Sequence, residues 1–129
     1  PPGDPNLDRA LEPPPASTQR TPGFVVKPAR DGAVEGVIHD ITLRQIDYTD
    51  EQYDALAHLV ATLCEVLPRI ECAAPTDDRG EVLTRTLDAG EFEAFRGVLG
   101  HFHVQRNKVD PGPAFDWARI IEAAARLRR

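Results

Sequence analysis

Eight of the twelve prolines lie within residues 1–28, and no other feature limits the possible folds of this chain as much. Each proline fixes φ and removes a backbone donor, so a stretch this rich in them sustains neither a helix nor a sheet ladder. Around them stand Gly, Ser, Thr and isolated charges, with few apolar residues to make a face. Residues 1–35 therefore read as an irregular, Pro-rich linker in which Phe24-Val25-Val26 is the candidate for one short strand. A core has to come from residues 36–129, which are enough for one domain. Because the chain opens on Pro1 rather than Met, it is expected to be a piece of a longer protein.

The clearest regular element begins at Thr49-Asp50-Glu51-Gln52. Thr49 is placed to cap a helix and Gln52 to reach back to it. Tyr53, Leu56, Val60, Leu63 and Leu67 then recur at helical spacing with Cys64 beside them, and Pro68 stops the run. Residues 70–87 carry Pro75 and the turn-prone Asp77-Asp78-Arg79-Gly80, so they read as an excursion in which residues 81–84 pair briefly as an edge strand. A helical turn is expected at 91–95. Residues 97–104 have the composition of a strand. After Pro111-Gly112-Pro113, residues 114–128 are helical in pattern, with Trp117, Ile120, Ile121, Ala124 and Leu127 inward and Pro113 suited to the first turn.

Charge and composition exclude several classes of partner. The net charge of −6 and the lack of a basic stripe argue against nucleic acid. No apolar run approaches the roughly 20 residues that span a bilayer. Cys64 and Cys72 admit two readings: Cys64 packs as a small core residue, or the pair closes a short disulfide loop, as suits an exported protein. With no CxxC pair, a cysteine zinc site is not expected.

The densest chemistry lies between Leu99 and Trp117, where His101, His103, Lys108 and Asp110 surround a turn. Zinc takes neutral imidazoles and carboxylates, and a catalytic site uses three protein ligands plus an open position for water. Were residues 98–104 a strand, His101 and His103 would share a face, because side chains alternate. With Asp110 they would form a local ligand set. On spacing alone, a Gly-His pair followed by an Asp-Pro-Gly turn is more often a hydrogen-bonded loop than a metal site. His39 reads as a loop or surface histidine, and His58 as a side chain on the capped helix. Asp77, Asp78, Glu91 and Glu93 read as solvated charges.

The run Gly100-His101, followed by Lys108-Val109-Asp110-Pro111-Gly112-Pro113-Ala114-Phe115-Asp116-Trp117, resembles the signature that closes the type-2 N-acetylmuramoyl-L-alanine amidase domain. That family is related to the peptidoglycan recognition proteins. Tyr48-Thr49-x-x-Gln52-Tyr53-x-Ala55-Leu56 is similar to the start of a helix in the same family, so the resemblance covers residues 36–129. It implies an α/β fold, here the C-terminal portion of a mixed β-sheet flanked by helices. It also implies Zn2+ held by His101 and Asp110, with Lys108 as a catalytic cation that stabilises the oxyanion. The implied reaction is hydrolysis of the amide between N-acetylmuramic acid and L-alanine in peptidoglycan or muropeptides, by a zinc-activated water. Nothing before His101 matches the family's first zinc histidine or its catalytic glutamate, so the resemblance implies an incomplete site. A complementary N-terminal part of the same domain would supply the rest, and the setting would be periplasmic or extracellular. The alternative within the resemblance is a module that binds muropeptides without cleaving them.

Overall fold

The computed structural model of the chain describes residues 25–128. Their regular elements run β1 (Ala33–Ile38), β2 (Ile41–Ile46), α1 (Asp50–Val66), α2 (Ala89–Ala94), α3 (His101–Val104) and α4 (Trp117–Leu127). The architecture is mixed α and β: one antiparallel hairpin, with Ile38 opposite Ile41 and Ala33 opposite Ile46, and helices packed beside it. A two-residue turn joins the strands, and both of its residues, His39 (φ 53°) and Asp40 (φ 60°), are left-handed. That handedness matches the twist of the strands, which is why so tight a loop closes the hairpin.

Helix α1 starts as its sequence dictates. Gln52 N–H donates to the Thr49 hydroxyl at 3.1 Å, and Thr49 N–H donates to the Gln52 side chain at 2.9 Å. The helix ends at Val66, before Pro68. Its inward face is rotated from the expected one. Tyr53, Ala57, Val60, Ala61 and Cys64 are buried, whereas Leu63 and Leu67 are 42% and 48% exposed. The reason lies in the partner: α4 brings Ile120 and Ala124 into the same cluster, and small residues on α1 let the two backbones approach. Cys64 is buried there and Cys72 packs at its edge, both as free thiols.

Several other expectations need correction. β1 starts at Ala33, inside the stretch read as linker, while Val25 and Val26 are exposed and outside any strand; Phe24 and the residues before it lie outside the described residues. Residues 81–84 contribute only an isolated bridge between Val82 and Thr76. The helical turn expected at 91–95 does form, as α2 over Ala89–Ala94, opened by a second capping box between Asp88 and Glu91. α4 begins at Trp117 with Asp116 as its cap, so Pro113 is not in its first turn. The Ala114 carbonyl is occupied by Arg30 and Tyr53, so it is already committed outside the helix. The strand expected over 97–104 is not formed, and the sheet observed precedes α1 instead of following it.

Candidate functional site

Residues 101–104 form a single helical turn because its own side chains close it. Gly100 N–H donates to His103 Nδ1 at 2.9 Å across the turn. His103 Nε2–H donates to the Leu83 carbonyl at 2.7 Å, which fixes the tautomer. His103 is fully buried, stacked near Phe102 (centroids 4.1 Å apart) and Trp117 (5.4 Å). Burial pushes its pKa below the ordinary imidazole value, so it stays neutral. The idea that His101 and His103 share an outward face therefore fails: the backbone is helical, and His103 points into the core with both nitrogens engaged.

His101 points outward. Its Nδ1 lies 3.1 Å from Asp110 Oδ2 and its Nε2 lies 2.5 Å from the Gln105 side-chain amide. Asp110 is placed by the main chain, since Phe102 N–H donates to the Asp110 carbonyl at 3.2 Å. The two side chains remain 42% and 66% exposed, open to a ligand from outside. Lys108, two positions before Asp110, is also exposed.

The turn after Asp110 is held by the hairpin and the start of α1. Gln45 Nε2–H and the Tyr48 hydroxyl both donate to the Pro111 carbonyl, at 3.0 and 2.6 Å. Ala114 N–H donates to Gln45 Oε1 at 2.9 Å. Gly112 sits at φ +91°, and a Cβ there would meet Gln45 Oε1 at 2.2 Å, so glycine is required twice over. Beneath lies a polar anchor. Arg30 Nε donates to Asp47 Oδ2 at 2.8 Å, the Tyr53 hydroxyl donates to Asp47 Oδ1 at 2.5 Å, and Tyr53 also reaches the Ala114 carbonyl at 3.1 Å. Burial alone would raise the Asp47 pKa, but its hydrogen bonds to Arg30 and Tyr53 outweigh that and hold the carboxyl below its usual range. Burial, then the bond to Asp47, pushes the Tyr53 phenol up to about 12.

Two side chains of a kind that could ligate zinc are thus together. A tetrahedral zinc with bonds of roughly 2.0–2.2 Å separates adjacent ligand atoms by roughly 3.3–3.6 Å. The observed 3.1 Å between His101 Nδ1 and Asp110 Oδ2 is within a few tenths of an ångström of that edge. Among the described residues, no third His, Cys, Asp or Glu joins them in a group able to hold a metal ion. His39 lies on the hairpin tip with Nε2 on the Lys108 carbonyl, 2.9 Å away. His58 is on the surface of α1, bonded to the Asp54 carbonyl at 2.9 Å. Asp77 accepts backbone N–H groups in its own turn, and Glu91 pairs with Arg85, which pulls its pKa down to about 2.

Sequence reasoning missed Gln45, His39 and the Arg30–Asp47 pair as supports of the site. The available signal was Gly112 itself, since a glycine between two prolines marks a turn that allows a left-handed backbone and close approach of a neighbouring group. No helix among the described residues is long and apolar enough to cross a membrane. No protein-family model, curated protein or solved structure matches the chain.

Proposed function

We propose that the His101–Asp110 loop is part of the metal site of a peptidoglycan hydrolase that cleaves the amide between N-acetylmuramic acid and L-alanine. The observation that carries this reading is the approach of His101 Nδ1 to Asp110 Oδ2 at 3.1 Å, both side chains open to solvent, in a segment whose residues resemble the amidase signature. His101 and Asp110 would hold Zn2+, which when bound polarises a carbonyl and lowers the pKa of water. In this reading His101 presents Nδ1 while its Nε2–H donates to the Gln105 side-chain oxygen, which fixes the ring. Lys108 brings a flexible ammonium to the same loop, suited to an oxyanion that develops next to the metal. The third ligand and the general base come from a complementary N-terminal part of the same domain, which would also extend the β1–β2 hairpin into a larger mixed sheet. A periplasmic or extracellular setting follows from the substrate.

Because only two ligands meet among the described residues, a second reading is kept: a module that grips muropeptides without hydrolysis. The experiment that separates them uses the protein with its complete domain. As an amidase, it releases L-alanine-linked peptides from muropeptides, stops with a chelator and contains one zinc, which His101→Ala and Asp110→Ala each remove. Lys108→Ala keeps the zinc and turns over about 100-fold more slowly. One zinc retained in both ligand variants sinks the proposal. Muropeptide binding without any release supports the second reading.

A further inference from the structure

The hairpin tip reaches the candidate loop through one side chain. His39 and Lys108 are 69 positions apart, yet His39 Nε2 lies 2.9 Å from the Lys108 carbonyl oxygen. A carbonyl only accepts, so Nε2 carries the proton. The residue is held from two other sides. Its backbone N–H donates to the Thr84 carbonyl at 2.8 Å, and its ring meets Phe102, the buried neighbour of His101, edge-on at 6.1 Å. The remaining supports act further along: Gln45 and Tyr48 on Pro111, and Arg30, Gln45 and Tyr53 on Ala114. Among the described residues, the bond from His39 is the one side-chain hydrogen bond that reaches residues 106–109 from the hairpin.

His39 is also an uneconomical choice for its position. At φ 53° in a two-residue turn, Asn or Gly fits the backbone better. A left-handed non-glycine residue is a reason to look for a task beyond the turn. We propose that His39 is a positioning residue: its Nε2–H fixes the Lys108 carbonyl and thereby sets Lys108 and Asp110 relative to His101. This rests on reading the loop as the metal-dependent site proposed above.

Two substitutions separate the donor from the turn. His39→Asn suits the left-handed backbone but is too short to reach the carbonyl. His39→Gln fits the turn less well, but its amide N–H sits where Nε2–H was. The measurements on the 129-residue chain are global stability, amide hydrogen exchange at Lys108 and Gly112, and the response of the His101 imidazole nitrogens to zinc ion alone. If His39 positions the loop, His39→Asn is at least as stable as His39→Gln, yet its loop amides exchange roughly five- to tenfold faster. Its zinc affinity at His101 falls roughly tenfold, and His39→Gln retains both properties. A residue that served only the turn would give the opposite order, with loop protection following stability, and that order overturns the proposal. The unmodified chain gives an independent check: NMR should find His39 as the Nε2–H tautomer with a slowly exchanging ring proton, and an Nδ1–H tautomer overturns the proposal. If zinc leaves the His101 nitrogens of the unmodified chain unmoved, two ligands alone do not hold the metal, and the metal reading is decided by zinc content of the complete domain, whereas the exchange order still decides whether His39 holds the loop.

Discussion

Gly112→Ala is the most informative single perturbation of the loop, and Gly80→Ala is its control. Both glycines are left-handed at similar φ, +91° and +82°, so a methyl group at either position meets the same backbone penalty, about 1–2 kcal/mol. Their surroundings differ. At Gly80 a Cβ has nothing within 4 Å, whereas at Gly112 it would lie 2.2 Å from Gln45 Oε1 and 2.6 Å from Gln45 Cδ. Gln45 must move away and then loses its bonds to the Pro111 carbonyl and the Ala114 N–H. Each bond is worth about 1 kcal/mol net, so Gly112→Ala should cost about 3–4 kcal/mol and Gly80→Ala about 1–2. Urea unfolding followed by the fluorescence of Trp117, the only tryptophan, measures both. In a Gln45→Ala background the clash is gone, so the Gly112→Ala penalty should drop to that of Gly80→Ala. Equal losses for the two glycines in the native background, within about 0.5 kcal/mol, would refute the claim that Gln45 presses on the turn.

Asp47 offers a test by pH. Its folded pKa is depressed, so its contribution is present above the unfolded value and is lost as pH falls through the folded one. Asp47→Asn should cost about 2–3 kcal/mol near neutral pH, less than a fully buried pair because Arg30 is half-exposed, and should flatten the acid limb of the stability curve; an unchanged acid limb contradicts the anchor. On α1, Ala61→Leu overfills the contact with α4 and should destabilise by about 1–3 kcal/mol, while Leu63→Ala should cost under about 1 kcal/mol, both read by thermal or urea unfolding. The reverse order would restore the leucine face expected from spacing.

What was legible in the sequence is what short-range physics decides. The Thr49–Gln52 box starts α1 because both halves of the cap lie within four residues, and Pro68 ends it by steric exclusion. The inward face of α1 was not legible in the same way. Leucines at helical spacing mark an apolar stripe, but which stripe turns inward depends on the partner, and here α4 selects the alanines and Cys64. Residues 97–104 were misread for a related reason. Val98, Phe102 and Val104 have strand propensity, but two hydrogen bonds of His103, one to Gly100 three residues back and one to Leu83 twenty back, close a helical turn. A tertiary acceptor outweighed local propensity. Within the candidate site, residue chemistry and the resemblance both suggested the pairing of His101 with Asp110, and His103 was turned inward by contacts that spacing does not encode.

Distance along the chain explains why spacing could not decide between a loop and a metal site. His101 and Asp110 are nine residues apart, but the turn that brings the aspartate back is held from elsewhere: by His39, Gln45, Tyr48 and Tyr53, each more than sixty positions earlier. In an isolated peptide with the same sequence the segment would have to order itself, at a backbone cost of about 1–2 kcal/mol per residue. Here the hairpin and the start of α1 have met that cost, and His101 Nδ1 and Asp110 Oδ2 are held 3.1 Å apart. The loop alone therefore specifies which side chains meet, while residues 30–53 specify their geometry. A change in the hairpin that leaves every residue of the motif intact is expected to act on the site as directly as a change in the motif itself.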